Sequence, residues 1–234
     1  MPGQDQTAIW SPDGEWIAFG SDERGGIWRM GVDRATSPEQ LASVGAHVHL
    51  SSWSPDGAPI AFDAHRHVTT AWDVGVLDVR TRAVTYILRS SASEQHAVLS
   101  PDGRWLAYTS DESGRNQIYV VPFPGLDPRR QVSVEAGSHP RWAPNGKTLF
   151  FRRGNAMLMT EISLSPDFSS SPPRTLFEGR YEADYDVMSG GQQFAMLQAV
   201  TGGDEPPVEV HMVTNWFEDL RRKAADATMR RDGQ

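Results

Sequence analysis

Histidine and carboxylate side chains are the groups in this sequence whose chemistry suits the binding of a ligand. His96 and His139 each stand four residues before the same kind of turn sequence, so they occupy equivalent positions. Asp184 holds that position in a later copy, and His49 and Arg141 lie within two residues of it in theirs. Imidazoles and a carboxylate that converge on one point suit a metal ion or an anionic peptide group. These five residues are therefore the candidate binding site.

A plainer interpretation is that these residues are polar side chains at the starts of strands and bind nothing. His65-Arg66-His67 and His47-Val48-His49 alternate as metal ligands on a strand do, but the sequence identifies no third ligand for either pair. The acidic turns at Asp22-Glu23 and Asp111-Glu112 lack the dense oxygen spacing of a calcium loop. We therefore expect no metal ion and no cofactor. Two interpretations of the candidate residues stay open: they contact a ligand or peptide, or they are polar residues at the starts of strands that bind nothing.

The residue patterns of common catalytic sites are missing. The chain contains no Gly-x-Ser-x-Gly turn that would expose a nucleophilic serine, and it contains no cysteine. Asn145-Gly146-Lys147-Thr148 ends like a phosphate-binding loop but lacks the upstream glycine that such a loop needs. We therefore predict no catalytic residues and a protein that is not an enzyme.

The charge balance excludes some classes of partner. Lys and Arg number 22 against 30 Asp and Glu, which gives a net charge of −8. Such a chain has little attraction for nucleic acid or for anionic lipid surfaces. The sequence has no run of about 18 apolar residues that could span a bilayer. We therefore expect no nucleic acid, no membrane insertion by this chain, and a protein or peptide as its partner.

A sequence repeat must position the candidate site. Its core is a Ser-Pro-Asp-Gly turn followed by an apolar run such as Ile-Ala-Phe, and its fifth copy is degenerate. The copies span 10–19, 53–62, 99–108, 142–151 and 187–196. Their equivalent positions are separated by 43, 46, 43 and 45 residues. A period of about 40–45 residues is typical of the four-stranded blade of a β-propeller.

Each copy has the residue order of an antiparallel hairpin. Asp-Gly and Asn-Gly favour the positive φ angles of a tight turn, and the proline before them ends the first strand. We predict an all-β fold, a β-propeller of about five four-stranded antiparallel blades, near residues 5–43, 44–90, 91–135, 136–178 and 179–214. The first strand of each blade of a propeller lines the central channel, so the candidate site is expected at the channel mouth.

The last blade is predicted to be incomplete. Its third strand reads Val208–Val213, after which Asn215 and Glu218 form a capping-box start for a short helix at 215–225. Residues 226–234 are expected to form a disordered polar tail. A blade without its fourth strand leaves an open edge, through which a second copy of the chain could pair to give a dimer.

The repeated turn and strand resemble the TolB-like, WD-repeat-like β-propeller family over nearly the whole chain. Within that family, Leu99–Gly125, Leu176–Tyr181 and Asn215–Leu220 are similar to the C-terminal propeller of certain bacterial serine/threonine protein kinases. The resemblance implies a sensor or protein-binding propeller, often attached to another domain. The same repeat also occurs in propellers that gate prolyl-oligopeptidase-like enzymes, so it is specific for the fold and weak for the function.

We therefore expect a non-enzymatic binding or sensor module for a protein or peptide, either alone or as part of a larger signalling protein. The alternatives are a propeller hydrolase or lyase with a metal in its central channel, and the gating propeller of a prolyl-oligopeptidase-like enzyme. The compartment depends on the context of the chain. It is cytoplasmic if the sequence is complete as given, and extracytoplasmic if the sequence is the sensor fragment of a membrane kinase.

Overall fold

Antiparallel β-sheet is the regular structure that the computed structural model describes in this chain. The described residues are 5–33, 37–45, 47–65, 71–164, 168–188, 190–199 and 208–213. Within these ranges the strands form five sheets, and there is no helix that is long and apolar enough to cross a membrane. The predicted all-β class is confirmed. The predicted helix at 215–225 and the predicted tail at 226–234 lie outside the described residues.

The chain divides into two compact units, Met1–Pro140 and Arg141–Gln234. The first unit contains three four-stranded sheets, blades one to three, in which each strand pairs with the next along the chain. Their strands are β1 (Asp5–Trp10), β2 (Trp16–Ser21), β3 (Ile27–Gly31), β4 (Glu39–Ala42), β5 (Val48–Trp53), β6 (Pro59–His65), β7 (Trp72–Asp78), β8 (Val84–Leu88), β9 (Glu94–Leu99), β10 (Trp105–Ser110), β11 (Gln117–Pro122) and β12 (Arg130–Gln131).

Blades four and five follow, and the boundary between the two units falls within the first strand of blade four. Their strands are β13 (Ser138–Trp142), β14 (Thr148–Arg153), β15 (Ala156–Ser163), β16 (Ser169–Ser170), β17 (Arg174–Glu178), β18 (Tyr185–Val187), β19 (Phe194–Ala199) and β20 (Val208–Val213). Within the described ranges, blade five has three strands in the order β18-β19-β20.

Blade four differs from the predicted four strands, because β16 and β17 both pair with β15. The eight residues of β15 are long enough for two short partners, one at each end of the strand. Pro172 and Pro173 lie between the partners and have no N–H to donate, so the pairing is interrupted there.

Hydrogen bonds of the repeated turn fix the first hairpin of the blades. In blade three, the buried Ser100 hydroxyl donates to Asp102 Oδ1 at 2.6 Å and accepts the Trp105 N–H at 3.0 Å. Gly103 has a φ of 70°, which glycine adopts without strain, and its N–H donates to the Ser100 carbonyl. In blade two the matching serine hydroxyl is the main cause of a lowered pKa at Asp56.

Apolar side chains pack together where successive blades of the first unit meet. Blades one and two share a cluster in which Ala18 and Ile27 of the first sheet pack with Phe62 and Leu77 of the second. Gly75 makes room for the Phe62 ring, because a side chain there would meet it at 2.3 Å. The complete burial of one such side chain stabilises the fold by about 1.5–3 kcal/mol. A second cluster joins blades two and three, and a third lies within the second unit.

Polar side chains also bridge successive blades of the first unit. The Leu50 N–H of blade two donates to Thr7 Oγ1 of blade one at 2.7 Å. The Leu99 N–H of blade three donates to Ser52 Oγ of blade two at 3.1 Å. A backbone N–H at a sheet junction must find an acceptor, so each of these bonds fixes where one blade sits on the next.

Replacing Ser100 by alanine should lower the free energy of unfolding by about 1–2 kcal/mol, because Asp102 and the Trp105 N–H each lose a partner. Urea unfolding of the full chain measures this loss. Ser113→Ala removes an exposed hydroxyl from the next turn of blade three, between β10 and β11, and is the matched control, with an expected change within about 0.5 kcal/mol. Equal stability of the two variants would show that the turn hydroxyl does not hold the hairpin.

Candidate functional site

His96 and His139 both have a left-handed backbone, with φ angles of 55° and 53°. Few residues other than glycine adopt this conformation, which costs a residue with a side chain about 1–2 kcal/mol. In blade three the conformation accompanies a β-bulge, since the register between β9 and β10 shifts between Ala107 and Thr109. A bulge of this kind changes the direction in which the local side chain points.

The imidazole rings of His96 and His139 stack on each other. Their centroids are 3.8 Å apart, the ring planes meet at 31°, and both side chains are partly exposed. His96 lies on β9 and His139 on β13, and both residues belong to the first unit. The structure therefore brings together two equivalent positions of the repeat. We call these two residues the histidine pair.

A buried carboxyl group of Asp63 holds the backbone of His96. Asp63 on β6 is 1% exposed, and its Oδ2 accepts the N–H of His96 at 2.7 Å. This short hydrogen bond offsets part of the strain at His96. Because Asp63 belongs to blade two and His96 to blade three, the same bond joins the two blades.

The histidine pair offers several kinds of contact to a ligand. A neutral imidazole has one N–H donor and one acceptor nitrogen, and a protonated imidazole has two donors. Two stacked rings also present an aromatic surface. This combination suits the amides, carboxylates and aromatic side chains of a peptide. Among the described residues, no group of three His, Asp or Glu side chains is arranged to hold a metal ion.

His49 lies on β5 and packs on Trp72, with the ring centroids 4.7 Å apart. Two more histidines extend this group: the ring of His65 lies 5.1 Å from that of Trp72, and the ring of His47 lies 6.2 Å from that of His65. His47 Nδ1 is also 3.1 Å from a carboxylate oxygen of Asp22. The contact between His49 and Trp72 was not predicted from the sequence repeat.

Arg141 and Asp184 belong to the second unit. Arg141 lies on β13 and is partly exposed, and its Cζ atom is 5.9 Å from the centre of the Tyr185 ring, a cation–π contact. Burial raises the pKa of the Tyr185 hydroxyl, so this group keeps its proton at neutral pH. Asp184 is exposed and directly precedes β18.

Four buried charged residues of the described chain are missing from the candidates drawn from the sequence: Asp63, Asp73, Glu94 and Arg152. Asp63 and Arg152 occupy the same repeat position, nine residues after Ser54 and its counterpart Ala143. Each directly follows the apolar run of a second strand, where burial is expected for every side chain. A charged residue in that place is a sequence signal that identifies a buried polar site.

Glu94 stands two residues before His96 on the same strand. It is 1% exposed; the Ser90 hydroxyl donates to its Oε1, and its Oε2 has no hydrogen-bond partner among the described residues. Burial raises the pKa of this carboxyl above 4.5, because the charged form is poorly solvated. The hydrogen bonds from Ser90 act against this effect, and the nearby Asp73 adds to it.

Comparisons with known proteins give one family. The sequence profile of the TolB beta propeller domain matches residues 34–185. The Tol-Pal system protein TolB of Alcanivorax borkumensis is 34% identical over 88 residues, which are 36% of this chain and 20% of that protein. TolB from Acinetobacter baumannii has a solved structure that matches with a TM-score of 0.67 at 20% identity, covering 89% of this chain and 51% of its own.

An oligogalacturonate lyase in complex with manganese also has a similar structure, with a TM-score of 0.62 at 14% identity, covering 82% of this chain and 58% of the lyase. These matches show that the fold is a β-propeller with TolB-like and WD-repeat-like features, as predicted. At sequence identities of 20% and 14%, similarity to a solved structure gives information about the fold alone. The chain spans about half the length of the Acinetobacter protein.

Replacing Glu94 by glutamine should raise the melting temperature at pH 7 by about 2–4 °C. The pKa of Glu94 is higher in the folded state than in the unfolded state, so its contribution is favourable below about pH 4.5 and is lost as the pH rises. Thermal unfolding between pH 4 and pH 8 should show the advantage of the variant growing with pH. Glu23→Gln, at an exposed position, should show no such trend, and a Glu94→Gln curve parallel to the wild type would contradict the assignment.

Proposed function

Because this chain belongs to the TolB β-propeller family, we propose that it is a non-enzymatic module that binds a protein or peptide partner. The proposed contact is centred on the histidine pair. One observation carries the proposal: two imidazoles from equivalent positions of the repeat stack at 3.8 Å and stay partly exposed. A stacked pair of this kind adds little to the core, yet it is well suited to recognise a peptide.

The backbone strain at the histidine pair supports a role beyond folding. Thr7 and Leu50 hold the same repeat position in blades one and two, and neither is among the residues with a left-handed backbone. The blade architecture therefore forms without this strain. Strained residues persist where the surrounding structure fixes them, and they are concentrated at binding sites. The buried Asp63 carboxylate fixes His96 in this way.

His49 in the first unit, and Arg141 and Asp184 in the second, are further proposed contacts. His49 would act together with Trp72, on which it packs, and would offer a partner an aromatic surface. Arg141 and Asp184 would offer charges of opposite sign to polar groups of a partner. Each is tested by its own alanine variant, read out as a change in partner affinity.

A separate proposal is that this module is part of a longer protein. The similarity of Leu99–Gly125 to the C-terminal propeller of bacterial serine/threonine kinases supports a sensor role within a longer signalling protein. The coding sequence around this chain in its gene decides that question.

A dimer through the edge of blade five also stays a prediction, which light scattering of the purified chain decides.

A metal-dependent lyase is the alternative function, and one finding favours it: the lyase with a similar structure is in complex with manganese. That function needs a bound metal ion, whereas the proposed module does not. Elemental analysis of the purified chain should find manganese and zinc far below one ion per chain. A stoichiometric metal that is lost in His96→Ala would favour the lyase instead.

The central test is peptide binding by variants of the histidine pair. Peptides selected on the wild-type chain from a random library should bind His96→Ala and His139→Ala about tenfold more weakly or worse, because central contacts contribute about 1–2 kcal/mol. Isothermal titration calorimetry with one selected peptide measures the affinities. Circular dichroism of each variant confirms that it is folded.

His47→Ala is the matched control for this experiment. His47 is a histidine with the same left-handed backbone, at φ 58°, but its ring contact is with His65 and not with the histidine pair. Its affinity for the selected peptide should equal that of the wild type. Unchanged binding by both His96→Ala and His139→Ala would place the contact elsewhere on the molecule.

A further inference from the structure

The guanidinium group of Arg152 is buried in the second unit, and no carboxylate among the described residues pairs with it. Arg152 is 3% exposed and lies on β14. Its Nη2 donates to the Gly154 carbonyl at 3.1 Å and to the Tyr181 carbonyl at 3.5 Å. Its Nε and Nη1 atoms are buried and have no hydrogen-bond acceptor among the described residues. The proposed function makes no use of this group.

The repeat position of Arg152 is one where a blade reaches the next blade. In blade two this position holds Asp63, whose carboxylate accepts the His96 N–H of blade three. In blade four it holds Arg152, which reaches the segment before blade five through the Tyr181 carbonyl. Asp63 therefore meets a donor that suits its charge. Arg152 has the opposite charge, and in the part of the chain that the structure describes its hydrogen bonds go to the neutral carbonyl oxygens of Gly154 and Tyr181.

Nothing else in the described residues neutralises this cation. Burial lowers the pKa of Arg152, because the charged form loses its hydration, and the phenols of Tyr185 and Tyr181 partly oppose this effect. A phenol that keeps its proton carries no negative charge, and burial raises the pKa of Tyr185. No Asp or Glu of the described part of the chain forms an ion pair with Arg152. A buried cation without an anion is strongly unfavourable, so the Arg152 guanidinium, as the described residues leave it, favours the binding of an anion.

We propose that Arg152 binds a carboxylate group supplied from outside this chain, either an Asp or Glu side chain or the carboxyl terminus of a peptide. Carboxylates pair readily with the planar N–H donors of a guanidinium group. The segment 179–184 borders the guanidinium through the Tyr181 carbonyl, and Arg180, Glu182 and Asp184 of this segment are exposed. The Tyr181 carbonyl of that segment accepts a long hydrogen bond, which a charged oxygen would replace by a stronger one.

This site goes beyond the proposed function and is tested without a partner protein. It lies in the second unit, whereas the histidine pair lies in the first. A failure at Arg152 would therefore leave peptide binding by His96 and His139 intact, and a failure of peptide binding would leave the Arg152 site intact.

The test is thermal unfolding of the full chain in sodium acetate and in sodium chloride at equal ionic strength and pH 7. Acetate should raise the melting temperature of the wild type by a few °C over chloride, because a ligand of the folded state stabilises it. Arg152→Met should abolish this difference, and it should melt at or above the wild-type temperature in chloride, because it removes an uncompensated charge. Arg153→Met changes the neighbouring arginine of the same strand and should keep the acetate effect.

A second measurement covers the case in which Arg152→Met does not fold. In the wild type, the NMR signal of the Arg152 side-chain Nε–H, assigned from its absence in Arg152→Lys, should shift and saturate as acetate is added. The proposal is overturned if this signal does not respond, or if acetate and chloride stabilise the wild type equally. It is also overturned if Arg152→Met keeps the acetate effect.

Discussion

Hydrogen bonds from the side chains of one blade to the backbone of the next are the constraint on which the candidate site depends. Apolar packing alone holds two sheets together but leaves their relative position loosely defined. A side-chain acceptor on a backbone N–H defines it, because that N–H must be satisfied. Thr7, Ser52 and Asp63 each accept such a bond from the following blade. The Asp63 bond ends on the His96 N–H, so a residue of the neighbouring sheet sets the position of the His96 backbone.

The same constraint explains why Asp63 and Arg152 are buried. A side chain near the end of the second strand of a blade lies beside the start of the next blade. It must therefore form hydrogen bonds with polar backbone groups there. Asp63 does so with a carboxylate that accepts an N–H, and Arg152 does so with a guanidinium that donates to carbonyl oxygens. The fold therefore provides a buried polar position in each unit, and the residue type decides which partner that position attracts.

Fold and function have different origins in this chain. The turn hydrogen bonds and the apolar junctions build the blades, and they carry no information about a ligand. A TolB and an oligogalacturonate lyase match this chain with similar TM-scores, 0.67 and 0.62, which shows that the architecture serves unrelated activities. Function must instead lie in side chains that differ from copy to copy. The position held by Thr7 and Leu50 in two blades, and by His96 and His139 in the next two, is such a place.

The sequence by itself determined the all-β class, the turns, the order of the strands and the equivalence of His96 and His139. These features are local: a Ser-Pro-Asp-Gly turn closes its hydrogen bonds within five residues, so its geometry follows from neighbouring residue types. Because the turn sequence recurs along the chain, the same local geometry is expected in each copy. Only the tertiary structure decided that the two imidazoles stack, that β15 pairs with two strands, and that Asp63, Glu94 and Arg152 are buried. These outcomes depend on how one sheet packs against another and on which strands pair with a long strand. A local pattern of residues determines neither the packing nor the pairing.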